Sequence, residues 1–276
     1  MIDSHQHFWR YNADEFGWVT DDMAVLRNDF LPASLQQAIA GTGVDGVVTV
    51  QARRSMTETE WLLNLARQHP LIKGVVGWVP LKDPAVGEIL DRLAENPLFR
   101  GVREVIQGEP DTEFLDCPAF HRGVRELTSR GIPYDLLIFH YQLSGAIKFV
   151  DAHPNQRFVV DHIAKPEIRS ASNHAWAYNL KELAKRPNVF CKFSGVTTEV
   201  RELSWDISLI RPCFETAIEA FGVTRLMFGS DWPVCLLRTT YTRWMVALKE
   251  LAANLSDHER MAFFSQTVRN AYNLKF

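Results

Sequence analysis

Cysteine is scarce in this chain, with four residues among 276. Cys117, Cys191, Cys213 and Cys235 are far apart and form no CxxC pair, which argues against a disulfide framework and for buried thiols of a reducing compartment. No apolar run approaches the ~20 residues that a membrane span needs. The opening Met1-Ile2-Asp3-Ser4-His5 is polar at once and lacks the basic and apolar regions of a signal peptide, so a cytoplasmic location is expected. Neither sign of charge dominates: 30 basic and 33 acidic residues give a net charge of -3. With no basic patch or acidic tail, nucleic acid is not an expected partner, and neither is a membrane. Linkers, low-complexity tracts and internal repeats are absent, so residues 1–276 read as one domain. What is present is the balance of a soluble globular protein, 46% apolar and 23% charged, which excludes disorder and coiled coil.

Eight short runs rich in β-branched residues recur, at 2–7, 46–51, 74–79, 101–105, 134–138, 158–162, 189–193 and 226–231. Near-continuous apolar runs of this length suit strands buried on both faces of a parallel sheet. Helix-like stretches lie between them, at roughly 34–41, 84–95, 118–130, 142–153, 174–186, 204–221 and 240–252. Another opens at Thr57, where a hydroxyl and Glu60 three residues on read as a capping box, and Pro70 ends it. Ser256 and Glu259 form a second box, opening a terminal helix with apolar positions Met261, Phe264, Val268 and Ala271. Strict alternation of strand and helix predicts a (β/α)8 barrel with an added C-terminal helix. A barrel is preferred to an open sheet because chemically loaded strand ends occur near both chain termini, and closure sets strand 1 beside strand 8.

Three motifs carry chemistry. His5-Gln6-His7 lies in the first strand, where side chains two apart face the same way. Two imidazoles side by side hold a metal or polarise a carbonyl. Asp161-His162-Ile163-Ala164-Lys165-Pro166 follows an apolar run, which puts His162 at the C-terminal end of strand 6, the end that builds active sites in barrels. Gly229-Ser230-Asp231-Trp232-Pro233 ends strand 8, and an acid there is costly unless paired. Alone, each has a plain reading: chance polar residues near a terminus, a turn cap beside a solvated histidine, a structural ion pair. Together they put three histidines and an aspartate in one ring of loops, the pattern of an active site.

In combination these motifs resemble the amidohydrolase superfamily over essentially the whole chain. More narrowly the chain is similar to its amidohydrolase-2 branch of lactone hydrolases, of the L-fuconolactonase and L-rhamnonolactonase type. The resemblance implies a (β/α)8 barrel hydrolysing a sugar lactone, with His5, His7, His162 and Asp231 at its centre. A metal-dependent decarboxylase, a 2-pyrone-4,6-dicarboxylate lactonase and a non-catalytic binding barrel are the alternatives. The resemblance also implies a metal question. Binuclear members bridge two ions with a strand-4 lysine or glutamate, whereas here that strand has no lysine, and Glu104 points away from Arg103 if the strand is regular. At most one divalent ion, zinc for preference, is expected, held by His5, His7, His162 and Asp231 when bound, and some members of the branch work without one.

Candidate substrate contacts are the polar and aromatic residues at strand ends: Arg103, Lys192, Gln51, Trp78, His140 and Trp232. For Lys192 an ion pair inside the barrel is an equal alternative. With few cations at the strand ends, and tryptophans that suit the C–H faces of a sugar ring, a neutral aldonolactone is expected rather than a dicarboxylate. No GxSxG elbow is present, so Asp231 is the expected general base, with the histidines or a metal stabilising the oxyanion.

Overall fold

The computed structural model describes residues 1–168, 174–201 and 204–275. Eight parallel strands pair in chain order: β1 (Ile2–Gln6), β2 (Gly46–Val50), β3 (Ile72–Gly77), β4 (Phe99–Val105), β5 (Tyr134–Leu137), β6 (Phe158–Val160), β7 (Val189–Phe193) and β8 (Leu226–Phe228). Just beyond the strands, the His7 amide donates to Trp232 O at 2.7 Å and the Asp231 amide to His5 O at 2.8 Å, which closes β1 onto the β8 end. The result is the expected (β/α)8 barrel.

Each strand is followed by a helix: α1 (Pro32–Ile39), α2 (Met56–Gln68), α3 (Val86–Ala94), α4 (Pro118–Ser129), α5 (Leu143–Asp151), α6 (His174–Ala184), α7 (Ile207–Phe221) and α8 (Tyr241–Leu251). The cap of α2 differs from the sequence expectation. Ser55, not Thr57, accepts from the Glu58 amide, at 3.3 Å. The segment Ser55-Met-Thr-Glu-Thr-Glu60 holds two overlapping hydroxyl-to-carboxylate registers. The first one wins because the Glu58 carboxylate also accepts from the Ala52 and Arg53 amides of the preceding loop, while Glu60 stays exposed. The α7 cap is Asp206, so the helix starts later than the expected 204, and Ser204 and Trp205 precede it as non-helical chain.

The Ser256–Glu259 box is formed in both directions and opens α9 (Asp257–Met261). A π-turn (Ala262–Gln266) then leads into α10 (Thr267–Tyr272). The wider turn shifts the apolar phase, so Phe264, Val268 and Ala271 are buried whereas Met261, expected on the same face, is 59% exposed. Val268, Ala271, Tyr272 and Leu274 pack with Ile2, Val48, Val76, Val159 and Met227. This closes the barrel interior at the end opposite the C-terminal strand ends.

β1 carries an irregularity that matters for the site. Asp3 pairs with Val47 and Gln6 with Thr49, three residues against two. The extra residue resets the alternation, as a bulge does. Asp3 and Gln6 therefore turn outward, Asp3 to the Tyr241 hydroxyl at 2.9 Å and Gln6 to Thr49. Ile2 and His5 both turn inward. Among the described residues no helix is long and apolar enough to cross a membrane.

Candidate active site

Four side chains named by the motifs meet where β1, β6 and β8 end. Asp231 Oδ1 lies 3.3 Å from His7 Nε2, 3.7 Å from His5 Nε2 and 3.9 Å from His162 Nε2. His5 and His7 are 3.2 Å apart through their Nε2 atoms. All four residues are almost fully buried. The backbone is bent to achieve this. Asp231 has φ 58°, and His162, Ile163, Ala164 and Lys165 run consecutively at 54°, 48°, 59° and 48°. Left-handed backbone costs a non-glycine residue about 1–2 kcal/mol, and such strain persists where the surroundings dictate it. The left-handed turn ends β6 at Val160 and swings His162 over the barrel axis, where a continued strand would have carried it past the mouth.

Each imidazole is anchored through its other nitrogen. His7 Nδ1 pairs with Val50 O at 2.8 Å, His162 Nδ1 with Ser194 Oγ at 2.9 Å, and His5 Nδ1 stands 3.2 Å from Asp161 Oδ1. This is the arrangement of metal-binding histidines, whose second nitrogen is held by an oxygen so that Nε2 faces the ion. The spacing agrees. Two ligands about 2.0–2.1 Å from a tetrahedral ion stand roughly 3.4 Å apart, close to the separations in the cluster. His5, His162 and Asp231 offer donor atoms that all lie within 4.8 Å of one another. Electrostatics favour the ligating forms as well. Burial lowers His5 well below the ordinary imidazole range and His162 to about 4, so both are neutral at pH 7. Burial opposes ionisation of Asp231, but His162, His7 and His5 outweigh it and hold the carboxyl below the usual range.

Gly195 makes this crowding possible. Its φ is 63°, and a Cβ there would stand 2.7 Å from His162 Nδ1 and 3.0 Å from Asp231 Oδ2.

Beneath the histidines lies a layer of buried charge. Arg103 NH1 is 3.1 Å from Asp161 Oδ2 and 3.3 Å from His5 Nε2, and its NH2 donates to Gln51 O and to Gln51 Oε1. Lys192 Nζ reaches Asp135 Oδ2, Asp161 Oδ1 at 3.0 Å and His5 Nδ1 at 3.1 Å, with no exposure to solvent. Burial opposes charge on Asp161, yet Lys192, His5 and Arg103 hold its carboxyl well below the usual range. In Asp135 burial prevails over Lys192 and pushes the carboxyl up to about 6.

The remaining candidates are dispersed. Trp78 is half-buried at the end of β3 and donates from Nε1 to Glu104 Oε2 at 2.8 Å. Glu104 also meets Arg54 at 2.6 Å and so faces away from the histidines. His140 opens the turn after β5 and is half-buried. Trp232 is 2% exposed and packs edge-on against Phe8 and Phe30, so its ring belongs to the wall behind the site. Ser194, Gly195, Asp135 and Tyr272 were not singled out from the sequence. Asp135 carried the one available signal, an acid inside an apolar strand.

A barrel whose C-terminal strand ends bring neutral imidazoles around an ionised carboxylate is a barrel enzyme with a metal-competent centre. The chain belongs to the amidohydrolase family, whose model matches residues 2–274. It is similar to an L-fucono-1,5-lactonase of Burkholderia multivorans, 38% identical over 99% of this chain and 96% of that protein. A second L-fucono-1,5-lactonase, from Burkholderia ambifaria, is 34% identical over 86% of this chain and 81% of that protein. Among solved structures, an amidohydrolase of Burkholderia multivorans with bound zinc superposes with a TM-score of 0.94 at 38% identity, covering 99% of both chains.

Proposed function

We propose that this protein hydrolyses the lactone of a neutral sugar acid, such as L-fucono- or L-rhamnono-lactone, to the free aldonic acid. The observation that carries the chemistry is the ionised Asp231 carboxylate facing three imidazole Nε2 atoms at the barrel mouth. The choice of sugar lactone is supported by the near full-length similarity to proteins named L-fucono-1,5-lactonase.

A lactone is a cyclic ester. Water attacks the carbonyl carbon, a tetrahedral oxyanion forms, and the ring C–O bond breaks. Asp231 takes the proton from the attacking water and returns it to the departing alkoxide. His5 and His162 present uncharged rings, so with His7 beside them they orient water and carbonyl without neutralising the base. The Arg103 guanidinium, next to His5, adds positive charge beneath the developing oxyanion. The donor set of His5, His162 and Asp231 fits one divalent ion, zinc for preference, and His7 stands beside it as a further candidate ligand. Such an ion, when bound, polarises a carbonyl and brings the pKa of a bound water down to about 7.

At most one divalent ion per chain is expected, because β4 has no lysine and Glu104 is engaged by Trp78 and Arg54. Elemental analysis of the purified protein checks this, and two ions per chain contradict it. Gly195→Ala is expected to lower kcat by about 10²-fold, the cost of displacing catalytic groups by roughly 1 Å. Steady-state rates on an alanine variant with an unchanged melting curve decide it, and parental kcat would show that the crowding at Gly195 is immaterial. The function itself is tested by acid release from L-fucono-1,5-lactone followed with a pH indicator. Catalysed release supports it, and no release from any aldonolactone overturns it.

A further inference from the structure

The rim of the site holds a charged pair that the hydrolytic chemistry does not use. Lys165 follows β6, at the end of the left-handed turn that begins with His162. Glu199 follows β7, in the 3₁₀ turn Val196–Glu199 that Gly195 opens beside His162 and Asp231. Lys165 Nζ lies 3.7 Å from Glu199 Oε1, longer than the roughly 3.2 Å of a hydrogen bond. The ammonium also stands 5.7 Å from the centre of the Phe139 ring, which follows β5. Both side chains are mostly covered yet reach solvent, 19% and 11% exposed, unlike Lys192 and Asp135, which have no exposure. Glu199 feels the site: burial raises its carboxyl above the ordinary range, Lys165 and Arg201 oppose this, and the Asp231 charge adds to it. Stability is a poor reason for such a pair. A partly exposed ion pair contributes little, a covered carboxylate is costly, and Lys165 adds the cost of left-handed backbone at φ 48°.

We propose that Lys165 and Glu199 form the subsite that recognises the hydroxyl groups of the sugar lactone and so set specificity for a neutral polyol, an inference that rests on the hydrolysis proposed above. The ammonium offers donors only and the carboxylate acceptors only, whereas a hydroxyl is both donor and acceptor. Of two adjacent ring hydroxyls, one takes a hydrogen bond from Lys165 while its neighbour gives one to Glu199. The pair carries no net charge, so a neutral ring is accepted. An anionic substrate meets the Glu199 carboxylate with Asp231 beyond it, and like charges set face to face exclude a partner. Phe139 supplies an apolar face beside the pair for the ring C–H groups. The placement fits the chemistry. Asp231 and the histidines gather over β1, β6 and β8, and the pair with Phe139 lies over β5, β6 and β7, so a lactone whose carbonyl meets Asp231 turns its hydroxyls to this side.

The test uses the full chain and two variants, Lys165→Met and Glu199→Gln, each checked by its melting curve. The readout is kcat/KM for L-fucono-1,5-lactone and for δ-valerolactone, the same six-membered ring without hydroxyls. Expected in both variants is a ratio of the two, polyol over bare ring, about tenfold or more below that of the parent, because a site built to bond a hydroxyl discriminates through that bond. An unchanged ratio overturns the inference, whether both rates are kept or both fall together, as they do when a pair merely holds its loops. If one variant fails to fold, the other decides alone. If the parent leaves either lactone intact, calorimetric titration with L-fucono-1,5-lactone decides instead. Binding weakened about tenfold in the variants supports the inference, and parental affinity in the variants, or no binding by the parent, overturns it. If the parent releases acid from no aldonolactone, the proposed function fails while the titration still decides this inference.

Discussion

Asp231→Asn is expected to reduce lactone turnover by about 10²–10⁴-fold, the span attributed to a positioned general base, while the barrel stays folded. The asparagine amide has the shape of the carboxylate but no capacity to take a proton from water. The backbone tolerates the change. Position 231 has φ 58°, a region in which asparagine is among the least strained side chains, and its backbone amide still donates to His5 O. The three imidazoles lose a negative neighbour but keep their anchors at Val50, Asp161 and Ser194. A steady-state assay paired with a circular-dichroism melt reads both halves. A folded Asp231→Asn variant with near-parental turnover removes Asp231 from the mechanism.

Lys192→Met carries the largest expected loss of stability, about 3–5 kcal/mol, the cost of removing one partner from a buried ion pair. The substitution leaves Asp135 with only the Tyr272 hydroxyl and Asp161 with Arg103 and His5, all without solvent. The penalty comes from the orphaned carboxylates more than from the lost contacts, which makes a second expectation. Adding Asp135→Asn to Lys192→Met should recover part of the loss, because it deletes a charge that no longer has a cation. Denaturant titration of the parent, the single variant and the double variant measures both. A Lys192→Met protein within about 1 kcal/mol of the parent, the worth of a mere surface pair, would contradict the reading of Lys192 as the hub of a buried network.

Much of this site could be read from the sequence because its residues sit at the ends of apolar runs. His5 and His7 follow a strand period, and His162 and Asp231 each follow a strand of three apolar residues. The barrel was legible for the same reason, since strand and helix periods alternate cleanly. What escaped depends on contacts between residues far apart in the chain. Nothing in Ser194-Gly195 tells that His162 and Asp231 leave no room for a Cβ. Lys192 stood out as a charge in a strand, yet the choice between substrate contact and ion pair required knowing that Asp135 and Asp161 lie beside it. The π-turn at 262–266 has no signature in the apolar spacing, so Met261 was expected on the wrong face. Trp232 follows a catalytic motif but turns its ring into the wall, because aromatic residues serve packing as readily as binding.

The measurement that tests the account most directly is kcat/KM on a panel of aldonolactones alongside 2-pyrone-4,6-dicarboxylate. A neutral sugar lactone, L-fucono- or L-rhamnono-lactone, is expected to be the best substrate. The nearest buried cations, Arg103 and Lys192, are already committed to Asp161 and Asp135, so neither offers a free fork to a dianion. A far higher kcat/KM for the pyrone dicarboxylate than for every aldonolactone would contradict it.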